Sequence, residues 1–383
     1  AQQVQKPVLL FSSKSEADEA GHFHVEEGSY GIFESARILK MHHIGYHHMP
    51  ACTIRQVAFE KNYRTFVSAC AVVKYVSSLR VLHIASLFSQ REALGADIES
   101  LYDKFGVSVV PVSPERLKEE TDSVLSKQGA DWAATIAMIR RKMDCSYVSD
   151  EVVGTIAAMK LSIQKLCLEY DCSLCAVECE PAVKDLYHLY PCVVGGLLVE
   201  EGIGFVCNGD LHGALAAGML RAASVSPSPI FMARFQALNP EMENSVLLRS
   251  CGCAPVGIVK EGVTPVLSAG ENNDGVPGRG FWRIRDGMLT MCRVDVLDGE
   301  YRILTGQMAT CEGPESNGTY AWVRTEDWMY WQEKLLQGGF VPNMSCAYGS
   351  AVPALYLASK YMKHMTFEAA LPTQGQIEAW LRQ

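Results

Sequence analysis

Short apolar runs alternate with longer amphipathic stretches over the first 225 residues. Runs of this length, bounded by turn residues, predict buried strands: KPVLLFSS (6–13), RVLHI (80–84), VSVVPVS (107–113) and CSLCAVECE (172–180). Helical spacing predicts helices at Gly31–Met41, at Arg91–Phe105 ahead of Gly106, and at Asp131–Tyr170. Strands that alternate with helices of this length predict a parallel sheet with helices on both faces.

The pattern changes after about Ser226, where short strands and glycine turns dominate. The run from Gly287 to Gly306 alternates well enough to predict a hairpin or meander. Helices are predicted near the end, in WMYWQEKLLQGGF (328–340), SAVPALYLASKYMKHM (350–365) and the tail 372–383. This half of the chain is therefore expected to be β-rich.

The stretch from Val177 to Leu215 carries the clearest site signal. It reads as a buried strand, a loop, a helix, a second buried strand and a helix start assisted by glycine. The polar residues Asn208, Gly209 and Asp210 follow the second strand. Open α/β sheets build their ligand sites at such strand ends.

Composition narrows the function classes. A chain of 383 residues is expected to form two or three domains. Its formal net charge of -9 argues against nucleic acid as a partner. No apolar run reaches membrane-spanning length and the first residues lack a signal-peptide pattern, so no membrane partner is expected. The 14 cysteines sit in apolar segments, which is typical of free thiols in a reducing cytoplasm.

Histidines are densest in HHIGYHHMP (42–50). His43 and His47 have the i, i+4 spacing of a metal-binding helix face, although Gly45 and Pro50 disfavour a helix there. They could instead contact sugar hydroxyls in a cleft between subunits. The simplest interpretation is a loop of solvated histidines.

Cys172, Cys175 and Cys179, with Cys251 and Cys253, suggest zinc at first sight. However, Cys175 and Cys179 alternate on one face of the predicted strand, which is typical of core residues.

Two carboxylates stand at the end of the predicted strand 172–180. Glu178 and Glu180 would lie on one face, where they suit general acid–base catalysis or a hard cation, or form a solvated strand end.

The glycine-rich segment GVPGRG (275–280) lacks the phosphate-loop pattern and predicts a flexible turn. Arg279, Arg283 and Arg285 nearby could still contact an anion.

Several motifs follow one another along the chain: RVLHIASLF, LYDKFGVSVVPVS, CAVECEP, PCVVGGLLVEEGI, CNGDLHGAL, PIFMARF, NSVLLRSCGCAP, LTMCRVDVLDGEYRI, CEGP and LLQGGF. As a set, from about Ser78 onward, they resemble the L-fucose isomerase and L-arabinose isomerase superfamily. The resemblance implies an α/β fold with Rossmann-like parallel-sheet domains followed by a β-rich C-terminal domain. The expected segments are an N-terminal α/β segment, 1–78, which is either shortened or divergent at its start relative to the family, then a Rossmann-like domain, 79–225, and a β-rich domain, 226–383.

The resemblance also implies a homo-oligomer, a trimer or hexamer, with active sites between subunits. Family enzymes interconvert an aldose and a ketose through an enediol, using Mn²⁺ held by a glutamate, an aspartate and a histidine. Here Asn208 stands at the glutamate position and Arg234 at the aspartate position, and 341–349 contains no histidine. The implied Mn²⁺ therefore has its ligands replaced, and no metal ligand is predicted.

Two hypotheses follow. The first is an enzyme that acts on a sugar or an anionic sugar derivative, because Arg234 suits a carboxylate, sulfonate or phosphate. The second is a non-catalytic sugar-binding or regulatory member of the fold. Under the first, the predicted catalytic residues are Asp210, Glu178 and Glu180. The predicted substrate-binding residues are Asn208, His212, Arg234, Ser250, Arg293, Glu312, Asn343, His43 and His47.

Overall fold

The computed structural model describes residues 7–13, 21, 30–86, 94–224, 228–270 and 275–383. Within them the chain is a mixed α/β protein with two parallel sheets and a nine-stranded mixed sheet. No helix among these residues is long and apolar enough to cross a membrane.

The N-terminal sheet has two parallel strands, β1 (Val8–Leu10) and β2 (Tyr46–His48), with α1 (Tyr30–Met41) between them. The loop interpretation of HHIGYHHMP is confirmed at 42–45 and wrong at Tyr46–His48, which pair with β1, with Leu9 opposite His47. The long helix α2 (Val57–Val76) follows and packs against two later helices, Leu211–Ala223 and Val352–Ser359.

The second sheet has four parallel strands in the order β4, β3, β5, β6. They are β3 (Arg80–Ile84), β4 (Ser108–Val112), β5 (Leu174–Val177) and β6 (Gly204–Cys207). Their helices are α3 (Ile98–Phe105), α4 (Pro114–Lys127), α5 (Ala130–Lys142), α6 (Asp150–Glu169), α7 (Lys184–Tyr187), α8 (Cys192–Glu200) and α9 (Leu211–Ala223). This confirms the predicted alternation of buried strands and helices.

Two predicted helices have different limits. The helix expected at 131–170 is two helices, because the chain turns between Lys142 and Asp150 and the Ser149 hydroxyl caps α6 by accepting a hydrogen bond from the Val152 N–H. Asp97 caps α3 in the same way, so that helix begins at Ile98, and residues 91–93 of the predicted helix lie outside the described residues. Gly106 ends α3 with φ 76°, as expected.

The third sheet is partly closed into a barrel. Its strands run in the order β15, β12, β11, β14, β7, β8, β13, β10, β9, and β12 also pairs with β13. The strands are β7 (Phe231–Leu238), β8 (Ser245–Ser250), β9 (Val266–Leu267), β10 (Gly280–Arg283), β11 (Met288–Leu297), β12 (Glu300–Cys311), β13 (Thr319–Arg324), β14 (Asn343–Tyr348) and β15 (Met365–Ala369). The predicted hairpin is confirmed as β11 and β12.

Three helices complete this part: α10 (Trp328–Gly338), α11 (Val352–Ser359) and α12 (Gln374–Arg382). One hydrophobic cluster runs from α2 and the four-stranded sheet into β11 and α11, so the barrel and the sheet share a core. A β-rich C-terminal part behind parallel sheets is thus confirmed. The Rossmann-like character and the division at 78/79 and 225/226 stay predictions.

Candidate functional site

The carboxyl end of β6 turns sharply into α9. Asn208 and Gly209 adopt positive φ angles of 64° and 66°, a region that Asn and Gly tolerate best. Asp210 then caps α9, with its Oδ1 accepting a hydrogen bond from the Gly213 N–H at 2.7 Å. The Asn-Gly-Asp sequence therefore serves first to turn the chain from strand into helix.

Asp210 is fully buried and forms an ion pair with Arg293, which is also fully buried. The Arg293 guanidinium contacts Asp295 as well, and Asp295 accepts a hydrogen bond from the Val341 N–H at 3.0 Å. These contacts hold the start of α9 against the barrel. They give Asp210 and Arg293 a structural role, and their predicted catalytic and substrate-binding roles stay predictions.

A row of polar residues crosses the outer face of the barrel. Asn343 on β14 lies opposite Arg234 on β7, and Arg234 lies opposite Arg249 on β8. Arg249 is in turn opposite Tyr320 on β13. Because opposed residues in a ladder project to the same face, the sheet brings two arginines and an asparagine side by side.

A third arginine belongs to this group. Burial lowers the pKa of the Arg249 guanidinium, and the positive charges of Arg234 and Arg279 lower that pKa further. Arg279 stacks on the Tyr190 ring, 3.7 Å from its centroid. We call Arg234, Arg249 and Arg279 the arginine cluster. Arg234 is exposed and makes no ion pair with any residue in the described part of the chain.

Thiols lie between the arginine cluster and the parallel sheet. Cys251 lies close enough to Arg249, Arg234 and Cys179 for their charges to act on its pKa, which burial raises. All 14 cysteines are free, and Cys175 and Cys179 are buried. The interpretation of these thiols as core residues is confirmed, except that Cys179 lies beyond the end of β5.

Glu178 and Glu180 do not share a face. The prediction is wrong because β5 ends at Val177 and the chain enters an irregular helical turn, Cys179–Val183. Glu178 is buried and accepts a hydrogen bond from the Ser86 N–H at 2.8 Å. Glu180 is half-exposed and pairs with Lys184 at 2.6 Å. The two carboxylates thus have different environments.

His83 on β3 is a polar residue that the sequence interpretation missed. Its Nε2 lies 3.2 Å from the Gly209 carbonyl oxygen. Burial lowers the pKa of His83, while the Gly209 bond and the negative charge of Glu178 partly oppose that shift. The signal available in the sequence was a lone histidine within the buried strand RVLHI.

The remaining predicted site residues make contacts of their own. Ser250 is buried, with its hydroxyl 3.2 Å from the Cys253 sulfur. His212 is buried against Tyr301. Glu312 is exposed and pairs with Lys260 and Arg283, each at 2.8 Å.

The two predicted histidines belong to the N-terminal sheet. His43 is exposed at a turn with φ 54°. His47 stacks on Phe66, and burial, Lys360 and His48 lower the pKa of His47 to about 4. The structure therefore places both histidines in a separate part of the chain from Arg234 and Asn343.

The residues at the three family metal positions do not fit Mn²⁺. Asn208 offers no carboxylate, Arg234 is cationic, and the segment 341–349, where the resemblance implies a histidine, contains none. Across the described ranges, no group of three or more His, Cys, Asp or Glu side chains is arranged to hold a metal ion.

Comparison with known proteins gives distant relatives. The chain is 22% identical over 279 residues to a sulfoquinovose isomerase from Alkalicoccus urumqiensis, covering 71% of this chain and 60% of that protein. It is 22% identical over 272 residues to sulfoquinovose isomerases from Priestia aryabhattai and Priestia megaterium, covering 68% of this chain and 57% of each relative. The chain therefore spans about three fifths of the length of these relatives.

No protein-family model matches the chain. What the similarities support is a distant relationship to a sugar isomerase.

Proposed function

We propose that this chain is a sugar isomerase that interconverts the aldose and ketose forms of an anionic sugar, and that the arginine cluster binds the anionic group. The observation that carries the proposal is the placement of Arg234 opposite Arg249. Like charges directly opposite in a ladder are unfavourable, and a bound anion relieves that repulsion.

Guanidinium groups suit this ligand. Each presents parallel N–H donors that match two oxygens of a sulfonate, carboxylate or phosphate. Asn343, beside Arg234, offers an amide that can bond a sugar hydroxyl. The relatives support a sulfonate in particular, because sulfoquinovose is a sulfonated sugar.

The isomerase class is supported by the relatives and by the resemblance to the L-fucose and L-arabinose isomerase superfamily. We include in the proposal the Rossmann-like architecture, the homo-oligomer and the cytoplasmic location that accompany this class. No step is assigned to Mn²⁺, because the residues at the family positions do not fit it.

Calorimetric titration with sulfoquinovose and with glucose tests the anion site. The wild-type protein is expected to bind the sulfonated sugar and to bind glucose more weakly. Arg234→Gln and Arg249→Gln are each expected to raise Kd about 10-fold or more, since a hydrogen bond to a charged group contributes about 1.5–3 kcal/mol. Arg64→Gln, in an exposed pair on α2, is the matched control and should not change Kd.

Turnover is measured separately, by following the anomeric and C2 carbon signals of the sugar by NMR. Conversion to the ketose supports the isomerase. Tight binding without conversion would identify a non-catalytic sugar-binding protein, and equal affinity for both sugars would contradict the anion site.

A further inference from the structure

His83, Glu178 and Gly209 converge from three neighbouring strands of the parallel sheet. His83 lies on β3, Glu178 follows β5 directly, and Gly209 follows β6. A Cβ on Gly209 would lie 3.2 Å from His83 Nε2 and 3.7 Å from Glu178 Cβ. The three residues are therefore packed together at the carboxyl edge of the sheet.

The hydrogen bond to Gly209 determines the tautomer of His83. A carbonyl oxygen only accepts hydrogen bonds, so Nε2 at 3.2 Å must carry the proton. In the neutral ring Nδ1 is then an unprotonated acceptor. Within the described part of the chain, Nδ1 has no hydrogen-bond partner, and His83 is half-buried.

We propose that His83 Nδ1 is the base that moves the sugar proton between C2 and C1, with Glu178 stabilising the imidazolium that forms. This inference rests on the proposed isomerase function. It assigns the proton transfer to a residue outside the predicted set, in place of Asp210, whose carboxylate is engaged by Arg293.

The position of the pair suits this role. Glu178 is followed by Cys179, whose charge acts on Cys251, and Cys251 also responds to Arg234 and Arg249. The arginine cluster therefore lies near the carboxyl end of β5, where Glu178 is, so that the anionic group and the reacting end of one sugar would have separate partners.

The step balances without a redox partner. Nδ1 takes the proton from C2, the C–H electron pair forms the C1–C2 double bond, and the carbonyl pair moves to O1, which gains a proton from water. In the second half, the O2 hydroxyl gives its proton to water, a carbonyl forms at C2, and the imidazolium returns its proton to C1.

The charge environment favours a base near neutral pH. Burial lowers the pKa of His83, so the ring is neutral at pH 7. Within the described chain, Glu178 is the ionisable group whose charge acts on the ring, and it favours the protonated form. The carboxylate therefore stabilises the imidazolium after proton transfer.

The test variant is His83→Gln, because the glutamine amide can still donate to the Gly209 carbonyl but cannot take a proton. The assays are sulfoquinovose binding, conversion, and exchange of the C2 hydrogen in D₂O. We expect an unchanged Kd and a fall in kcat and in exchange of about 100-fold or more. His364→Gln, at an exposed histidine, is the matched control.

The pH profile separates a base from a merely structural residue. Wild-type kcat/KM should fall at acidic pH as His83 is protonated. This decrease, the acid limb of the pH profile, should be absent in His83→Gln. In Glu178→Gln the acid limb should move to lower pH, because removing the carboxylate disfavours the imidazolium.

The outcomes distinguish this inference from the proposed function. Conversion by His83→Gln at the wild-type rate would overturn the role of His83 and leave the isomerase intact. Binding without conversion or exchange in the wild type would overturn both. A loss of kcat with retained binding, together with loss of the acid limb, would support the proton transfer.

Discussion

Arg234 and Arg249 lie directly opposite each other on neighbouring antiparallel strands of the barrel. Arg234 is exposed and Arg249 is half-buried. Burial lowers the pKa of Arg249, and the positive charge of Arg234 lowers that pKa further. Like charges opposite each other in a ladder are unfavourable, and an anion bound between them would reduce that repulsion. This arrangement is the feature that most directly connects the fold to a charged ligand.

The first prediction concerns stability in the presence of an anion. Inorganic sulfate at roughly ten to thirty times its Kd should raise the free energy of unfolding of the wild type by about 1–2 kcal/mol, because it binds the folded state only. The increase should be smaller in Arg234→Gln. Urea titration with and without sodium sulfate measures it, with sodium chloride at equal ionic strength as the control for screening. Equal effects of sulfate on both proteins would place the anion elsewhere.

The second prediction concerns the buried pair of Asp210 and Arg293. Arg293→Met leaves two carboxylates without their cation, so the free energy of unfolding should fall by about 3–5 kcal/mol. Arg64→Met, which breaks an exposed pair with Glu60, should change it by less than about 1 kcal/mol. Urea denaturation measures both. A small effect in Arg293→Met would show that the pair does not hold α9 to the barrel.

Much of the fold could be predicted from the sequence because its signals are local. Strands buried on both faces appear as continuous apolar runs, and β3 matches RVLHI residue for residue. The β11–β12 hairpin is likewise local in sequence. The closure of the barrel by the pairing of β12 with β13 was not predictable, since it depends on how six strands fit in space. The break before Ser149 was missed because its cap is a single hydrogen bond.

The candidate site was less predictable. Arg234 was identified through the resemblance, but Arg249 was not, because the register of two strands decides which residue faces it. Glu178 and Glu180 looked equivalent only on the assumption of a longer strand. The sequence showed His83 only as a lone histidine in a buried strand, since its partner Gly209 lies 126 residues further along the chain.

The third prediction concerns the glycine between the two cysteines near the arginine cluster. Gly252 has φ 103°, and a Cβ there would lie 2.3 Å from the Gly280 backbone nitrogen. Gly262 also has positive φ, 80°, but nothing lies within 4 Å of its Cβ position. Gly262→Ala should therefore cost about 1 kcal/mol of strain, while Gly252→Ala should cost roughly 3 kcal/mol or more.

Urea denaturation of both alanine variants separates the backbone strain from the steric clash between the new Cβ at position 252 and the Gly280 backbone nitrogen. The difference between them is the informative quantity, because strain in the left-handed region is common to both. Similar losses would mean that the Cys251–Cys253 loop moves away from β10 without penalty.

The last prediction concerns pH and His47. Its pKa is lowered from 6.5 to about 4 in the folded protein by burial, Lys360 and His48. Between these two values the unfolded chain binds more protons than the folded one, so stability rises with pH. The contribution is complete above about pH 6.5 and is lost as pH falls towards 4; the shift corresponds to at most about 3 kcal/mol. The free energy of unfolding of the wild type should thus be lower at pH 5 than at pH 7.5.

The pKa values of His83 and His212 are also lowered in the folded protein, so His47→Gln should remove only part of that difference. Urea titrations of both proteins at the two pH values measure it, and an undiminished difference in His47→Gln would show that His47 takes up its proton in the folded state as readily as in the unfolded chain.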